Sequence, residues 1–142
     1  MSGYGFIFGA TILILKGNLV KSKEVTVYSC SGCSNVAQLA NSVAVKLDRS
    51  GFAKMSCIAG VGGDVKSLVK VATTAEKILA LDGCPLQCVA QCLKRHNIEP
   101  TVHLILTDHG LIKNSSEDVT PETVEDIFQK VTSIVEDMQG NE

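Results

Sequence analysis

Tryptophan is absent from this chain and aromatic residues make up only 4% of it, so there is little from which to build a base-stacking platform for nucleic acid. A dominant sign of charge is also missing. The 13 basic residues are balanced by 15 acidic ones, for a net charge of −2, which leaves a polyanion nothing general to grip. No nucleic-acid partner is expected. The apolar stretch that runs from Phe6 through Leu15 is too short to span a bilayer, so no stable membrane span is expected either. As a signal peptide, the same stretch lacks a basic segment ahead of its apolar core and a clear small-residue cleavage site after it. Cysteine is missing from the first 29 and the last 50 residues. Disorder is excluded by composition, since 45% of residues are apolar and 20% are charged.

What is present is a cluster of six cysteines between Cys30 and Cys92. Six thiols could form a disulfide framework, but such scaffolds are small and loop-rich, whereas this chain has long, regular apolar periodicity and can bury an ordinary core. Reduced thiols, and with them a cytoplasmic location, are the expectation. The chain divides into residues 1–22, an apolar extension or an edge strand, and residues 23–142, a single cysteine-rich domain.

From Glu24 onward the pattern alternates. Val25-Thr26-Val27-Tyr28 is a β-branched strand, and a loop of small residues, Ser29-Cys30-Ser31-Gly32-Cys33-Ser34, follows it. Ser34 is placed to cap a helix whose apolar face is Val36, Leu39, Ala40, Val43, Ala44 and Leu47, ending at Ser50-Gly51. A second strand over Ala53 to Ala59 carries Cys57 near its end. It leads through the glycine-rich turn Gly60 to Asp64 into a helix with Val65, Leu68, Val69 and Ala72 on one side. In the third unit the apolar run Ile78 to Leu81 ends at Asp82-Gly83-Cys84. Pro85 then fits the first turn of a helix bearing Leu86, Val89, Ala90 and Leu93. A fourth strand, Val102 to Leu106, ends at Thr107-Asp108-His109-Gly110. Thr120 and Pro121 then open a last helix with Val124, Ile127, Phe128, Val131 and Val135 facing inward.

Four such alternations predict an α/β fold, a three-layer sandwich of the Rossmann-like or flavodoxin-like kind with a mainly parallel sheet of at least four strands in the order 2-1-3-4. The order has a chemical consequence. Cys30, Cys57 and Cys84 all stand at carboxyl ends of strands, and parallel strands ~4.8 Å apart bring those ends to one edge, where open α/β sheets bind ligands. With Cys88 from the following helix, four thiolates could surround a zinc ion at ~2.3 Å or hold an iron–sulfur cluster. Cys30-x2-Cys33 also fits a dithiol redox pair after a strand.

Cys92 lies two helical turns beyond Cys84, ~12 Å along the axis, and is read as core packing. Cys33 is left open between a fifth ligand, a resolving thiol and a loop residue. Asp108 and His109 could supply supporting hydrogen bonds or a general base, against the plainer reading of an ordinary turn. His96 is read as a surface residue near a helix end, and no partner for His103 is legible. Gly60 to Asp64 lacks the Lys-Ser/Thr ending of a nucleotide loop and is read as a turn.

Cys30-Ser31-Gly32, then Lys54-Met55-Ser56-Cys57 with Gly60 and Gly62-Gly63, then Asp82-Gly83-Cys84-Pro85 with Cys88, resembles the DGC-domain family over residues 24–113. The resemblance implies zinc binding through four cysteines, which fall here on Cys30, Cys57, Cys84 and Cys88. It assigns no activity. The expectation is therefore a zinc-binding protein whose partner is a metal ion. A thiol-dependent redox or sulfur-transfer enzyme, or an iron–sulfur protein, is the alternative.

Overall fold

The four alternations close into an α/β sandwich. A computed structural model describes residues 12–15 and 18–140, the first two strands by their backbone alone. Strands β1 (Ile12–Leu15) and β2 (Asn18–Lys21) pair antiparallel with each other as a separate two-stranded sheet. The expectation of an apolar extension or edge strand for residues 1–22 lies outside the described residues at 1–11 and 16–17. No helix among the described residues is long and apolar enough to cross a membrane.

The main sheet consists of β3 (Val25–Ser29), β4 (Lys54–Met55), β5 (Lys77–Asp82) and β6 (Val102–Ile105), in the spatial order β4-β3-β5-β6 with every neighbour parallel. That is the order 2-1-3-4. The two central strands are buried on both faces, as their unbroken β-branched and aliphatic runs require, and every residue of β3 is inaccessible.

Helix α1 (Asn35–Arg49) starts where Ser34 Oγ accepts the Ala37 N–H at 3.3 Å, and its last turn ends at Ser50, ahead of Gly51 at φ +77°. Its whole anticipated face, from Val36 to Leu47, is buried. Each fully buried Leu or Val there contributes about 1.5–3 kcal/mol relative to exposure. Helix α5 (Pro121–Gly140) packs beside α1 and against β3. Thr120 Oγ1 accepts the Thr123 N–H at 3.2 Å, and Ile127, Phe128, Val131 and Val135 are buried as anticipated. Phe52 meets Phe128 edge-on at 6.0 Å between ring centroids, and the Lys46 ammonium lies 4.5 Å above the Phe128 ring while pairing with Glu125.

Helices α2 (Ile58–Gly62), α3 (Lys66–Thr74) and α4 (Cys88–Lys94) form a second packed group, α4 lying on β5. Three expectations are corrected in this group. The strand over Ala53 to Ala59 shrinks to Lys54–Met55, because α2 takes up the chain from Ile58 and absorbs much of the glycine-rich turn. Pro85 precedes the helix instead of opening it. It sits in a tight turn in which Gln87 N–H bonds Cys84 O at 3.1 Å, and Gln87 then adopts the left-handed conformation at φ +53°. Leu86, consequently off the helix, is 68% exposed.

Candidate thiol site

Strand β5 ends on a buried carboxylate. Asp82 is only 1% exposed, and its Oδ1 accepts the Val89 N–H at 2.8 Å while Oδ2 accepts the Ala90 N–H at 3.3 Å. Those are first-turn donors of α4 that have no partner within the helix. The cap residue by position, Gln87, makes no side-chain cap bond, so a residue several positions upstream caps the helix across the turn. The strand register explains a further contact. Ala80 stands opposite His103 on β6, and Asp82, two residues on, shares Ala80's face. His103 Nε2 therefore reaches Asp82 Oδ2 at 2.8 Å, and the ring nitrogen donates to the acceptor-only carboxylate.

Gly83 comes next, and its size is decisive. A Cβ there would lie 2.7 Å from the Val36 carbonyl carbon and 2.9 Å from the Ala37 nitrogen, so only glycine lets β5 run this close to the first turn of α1. The Gly83 N–H points at Cys30 Sγ, 3.1 Å away. Cys30 is 7% exposed, and burial pushes its thiol pKa up. The Gly83 N–H works against that rise, while Asp82, Cys88 and Cys84 add to it.

Cys84 is half-buried two residues after the strand, and Lys113 Nζ lies 3.5 Å from its sulfur. The Lys113 loop is held to the start of α1 by reciprocal bonds. Asn35 N–H donates to Asn114 O at 2.8 Å, and Asn114 N–H donates to Asn35 Oδ1 at 2.7 Å. Cys57 is exposed at the residue before α2, and Cys88 is exposed as the first residue of α4. Three neighbouring strands, β4, β3 and β5, are thus each followed within two residues by a cysteine at the same edge.

All six cysteines are free thiols, and among the described residues no three Cys, His, Asp or Glu groups are gathered closely enough to hold one metal ion. The fold brings Cys30, Cys57, Cys84 and Cys88 to one edge without drawing their sulfurs together. Beneath that edge Thr107 Oγ1 is buried without a hydrogen-bond partner. Burial raises the Tyr28 pKa, the Ser56 side chain beside the hydroxyl works against that rise, and Cys57 adds to it.

Cys92 lies one turn beyond Cys88 and packs against α2. A Cβ on Gly62 would come 2.8 Å from its sulfur, and burial raises its thiol pKa. Cys33 is exposed in the loop before α1.

The histidines separate. His96 joins the end of α4 to α2 through Val61 O at 2.9 Å and lies 3.2 Å from Asp64 Oδ1, and Asp64 also accepts from Arg95 Nε and Nη2. His109 lines a groove of about 330 Å³ with Glu122, Asp126 and Lys130 of α5. The Gly60 to Asp64 segment closes on itself: Gly63 N–H bonds Ala59 O and Val65 N–H bonds Gly60 O, each at 2.9 Å. Asp82 and His103 are the residues that sequence reasoning missed. An acidic residue ending a strand shortly before a helix was a visible cue for capping, but the partner on β6 required the register.

The family model for the DGC domain matches residues 26–131. A relative from Pseudomonas aeruginosa, the anaerobic and virulence modulator AnvM, is 56% identical over 109 residues, covering 77% of this chain and 83% of that protein. No solved structure matches the chain.

Proposed function

This chain belongs to the DGC-domain family, and we propose that it binds zinc through Cys30, Cys57, Cys84 and Cys88 at the carboxyl edge of its sheet. The observation that carries the reading is the placement of Cys30, Cys57 and Cys84 after three adjacent parallel strands, with Cys88 opening the next helix. Such a donor set suits a soft or borderline ion, and zinc accepts four thiolates tetrahedrally. The accessible positions of Cys57 and Cys88 allow them to move toward an arriving ion. Four thiolates around a divalent cation leave net negative charge, which Lys113 beside Cys84 would offset. A bound zinc ion would tie the α2 and α4 starts to the sheet edge, giving a ligand-dependent structure rather than an activated water. The name of the P. aeruginosa relative, an anaerobic and virulence modulator, extends the reading to a modulator role.

Metal analysis of protein purified without oxygen tests the proposal. Stoichiometric zinc in colourless protein is expected, with strong loss in Cys84→Ser and near-full retention in Cys92→Ser. Equal retention in both variants refutes the ligand assignment. A brown protein containing iron and sulfide would replace zinc with a cluster. A metal-free protein with rapidly alkylated Cys33 would favour thiol redox or sulfur transfer.

A further inference from the structure

We propose that Asp82 and His103 are positioning residues for the thiol edge: the carboxylate sets the first turn of α4, and with it Cys88, while His103 holds the carboxylate in place. The metal-affinity part of this inference rests on the zinc reading above; its structural part does not.

Helix α4 is seven residues long and cannot hold its own start in place. It is preceded by a turn whose last residue, Gln87, is in the left-handed conformation without a side-chain cap. Asp82 supplies what the turn lacks. It bonds two consecutive α4 amides from inside the sheet edge, and Cys88 is the residue just before those amides. Cys88 is therefore fixed relative to β5 by a residue only two positions from Cys84. The neighbouring Gly83 N–H meets Cys30 Sγ, so one tripeptide and its neighbours reference three of the thiols to a single strand end.

A capping carboxylate could swing to satisfy other donors, but Asp82 Oδ2 is shared with His103, which comes from a different strand and is only 23% exposed. The imidazole blocks the alternative orientation and completes the carboxylate's hydrogen bonding in a site with almost no water access. Supporting partners of this kind change metal affinity about 10–100-fold in sites where they orient ligands.

The test compares the full-length wild type with Asp82→Asn, His103→Leu and His103→Gln. Asn cannot accept two separate donors on its nitrogen side, Leu removes the ring donor, and Gln retains an N–H donor. Three readouts are used: amide hydrogen exchange at Val89 and Ala90, the rate of Cys88 alkylation by iodoacetamide mapped by mass spectrometry with Cys33 as internal reference, and zinc affinity by competition with a chromogenic chelator. In Asp82→Asn and His103→Leu, exchange at these amides and Cys88 alkylation in metal-free protein should rise about fivefold or more, the factor for one lost buried hydrogen bond. Zinc affinity should fall about 10–100-fold. His103→Gln should stay within about twofold of wild type, because the donor is kept. Unchanged exchange and alkylation in both disruptive variants overturn the proposal, as does equal damage by His103→Gln and His103→Leu. Should Asp82→Asn fail to fold, the two His103 variants decide. Should the wild type bind no zinc, the zinc reading fails, and exchange and alkylation still decide the positioning role.

Discussion

The two helical groups are built differently. The α1–α5 group consists of helices of 15 and 20 residues, with side-chain caps at both starts and an apolar face buried along its length. The α2–α3–α4 group has helices of 5, 9 and 7 residues, and none of them is capped by the residue at its own N-cap position. In α3 only Ala72 is fully buried, while Val71 is 42% exposed and Val65, just before the helix, is 46% exposed. Among the described residues, the non-glycine residues in the left-handed conformation, Asp64, Gln87 and Asn97, fall in this second group or directly after it. The thiols at helix starts belong to it too. One group stores the burial that stabilises the domain, and the other gives up packing to leave cysteines accessible on short, adjustable segments. Local stability that is unevenly distributed in this way is common where a ligand must be admitted.

The contrast can be broken most directly by equal truncations on the two sides. Leu39→Ala, in the fully buried face of α1, should cost about 2–5 kcal/mol in urea unfolding. Leu68→Ala, on half-buried Leu68 of α3, should cost less than half as much; equal losses would mean that the two groups are packed alike. The next largest effect tests the joint between β5 and α1. Gly83→Ala forces a Cβ against the Val36 backbone and should destabilise by about 1–3 kcal/mol or more, with Cys84 and Cys88 becoming faster to alkylate. A neutral result would show that the strand end can shift away from α1. Smallest is the exchange of caps. Ser34→Ala should lose about 1 kcal/mol, whereas Val65→Asp should gain about 0.5 kcal/mol by supplying α3 with the acceptor it lacks. Thermal melts of both variants, read against the wild type, check the opposite signs.

The differences between expectation and structure follow the same division. Every residue anticipated on the apolar face of α1, and all but Val124 of those on α5, are buried, because each helix carries several turns of consistent apolar periodicity with a capping residue ahead of it. In the other group the short Lys54–Met55 strand, the early α2 helix and the displaced start of α4 depart from the periodic reading. Segments of five to seven residues contain too few turns for periodicity to decide their boundaries. Pro85 is a good first helical residue and an equally good turn residue, and the turn prevails because Asp82 captures the amides of Val89 and Ala90 instead.

Sequence by itself determined the alternation of strands and helices and the position of Cys30, Cys57 and Cys84 at the carboxyl ends of strands, and the structure has the strand order that is commonest for so short a chain. The alternation follows from local periodicity, and the right-handed crossover rule then makes the strands parallel with their carboxyl ends at one edge, without recourse to side-chain detail. Only the tertiary structure decided that Asp82 caps α4 from across a turn, that His103 is its partner, that Gly83 must lack a side chain against Val36, and that Lys113 reaches Cys84. Each of these joins residues from separate elements. Whether a side chain meets such a partner depends on strand register and on a few ångströms of backbone approach, quantities that no pattern along a single segment contains.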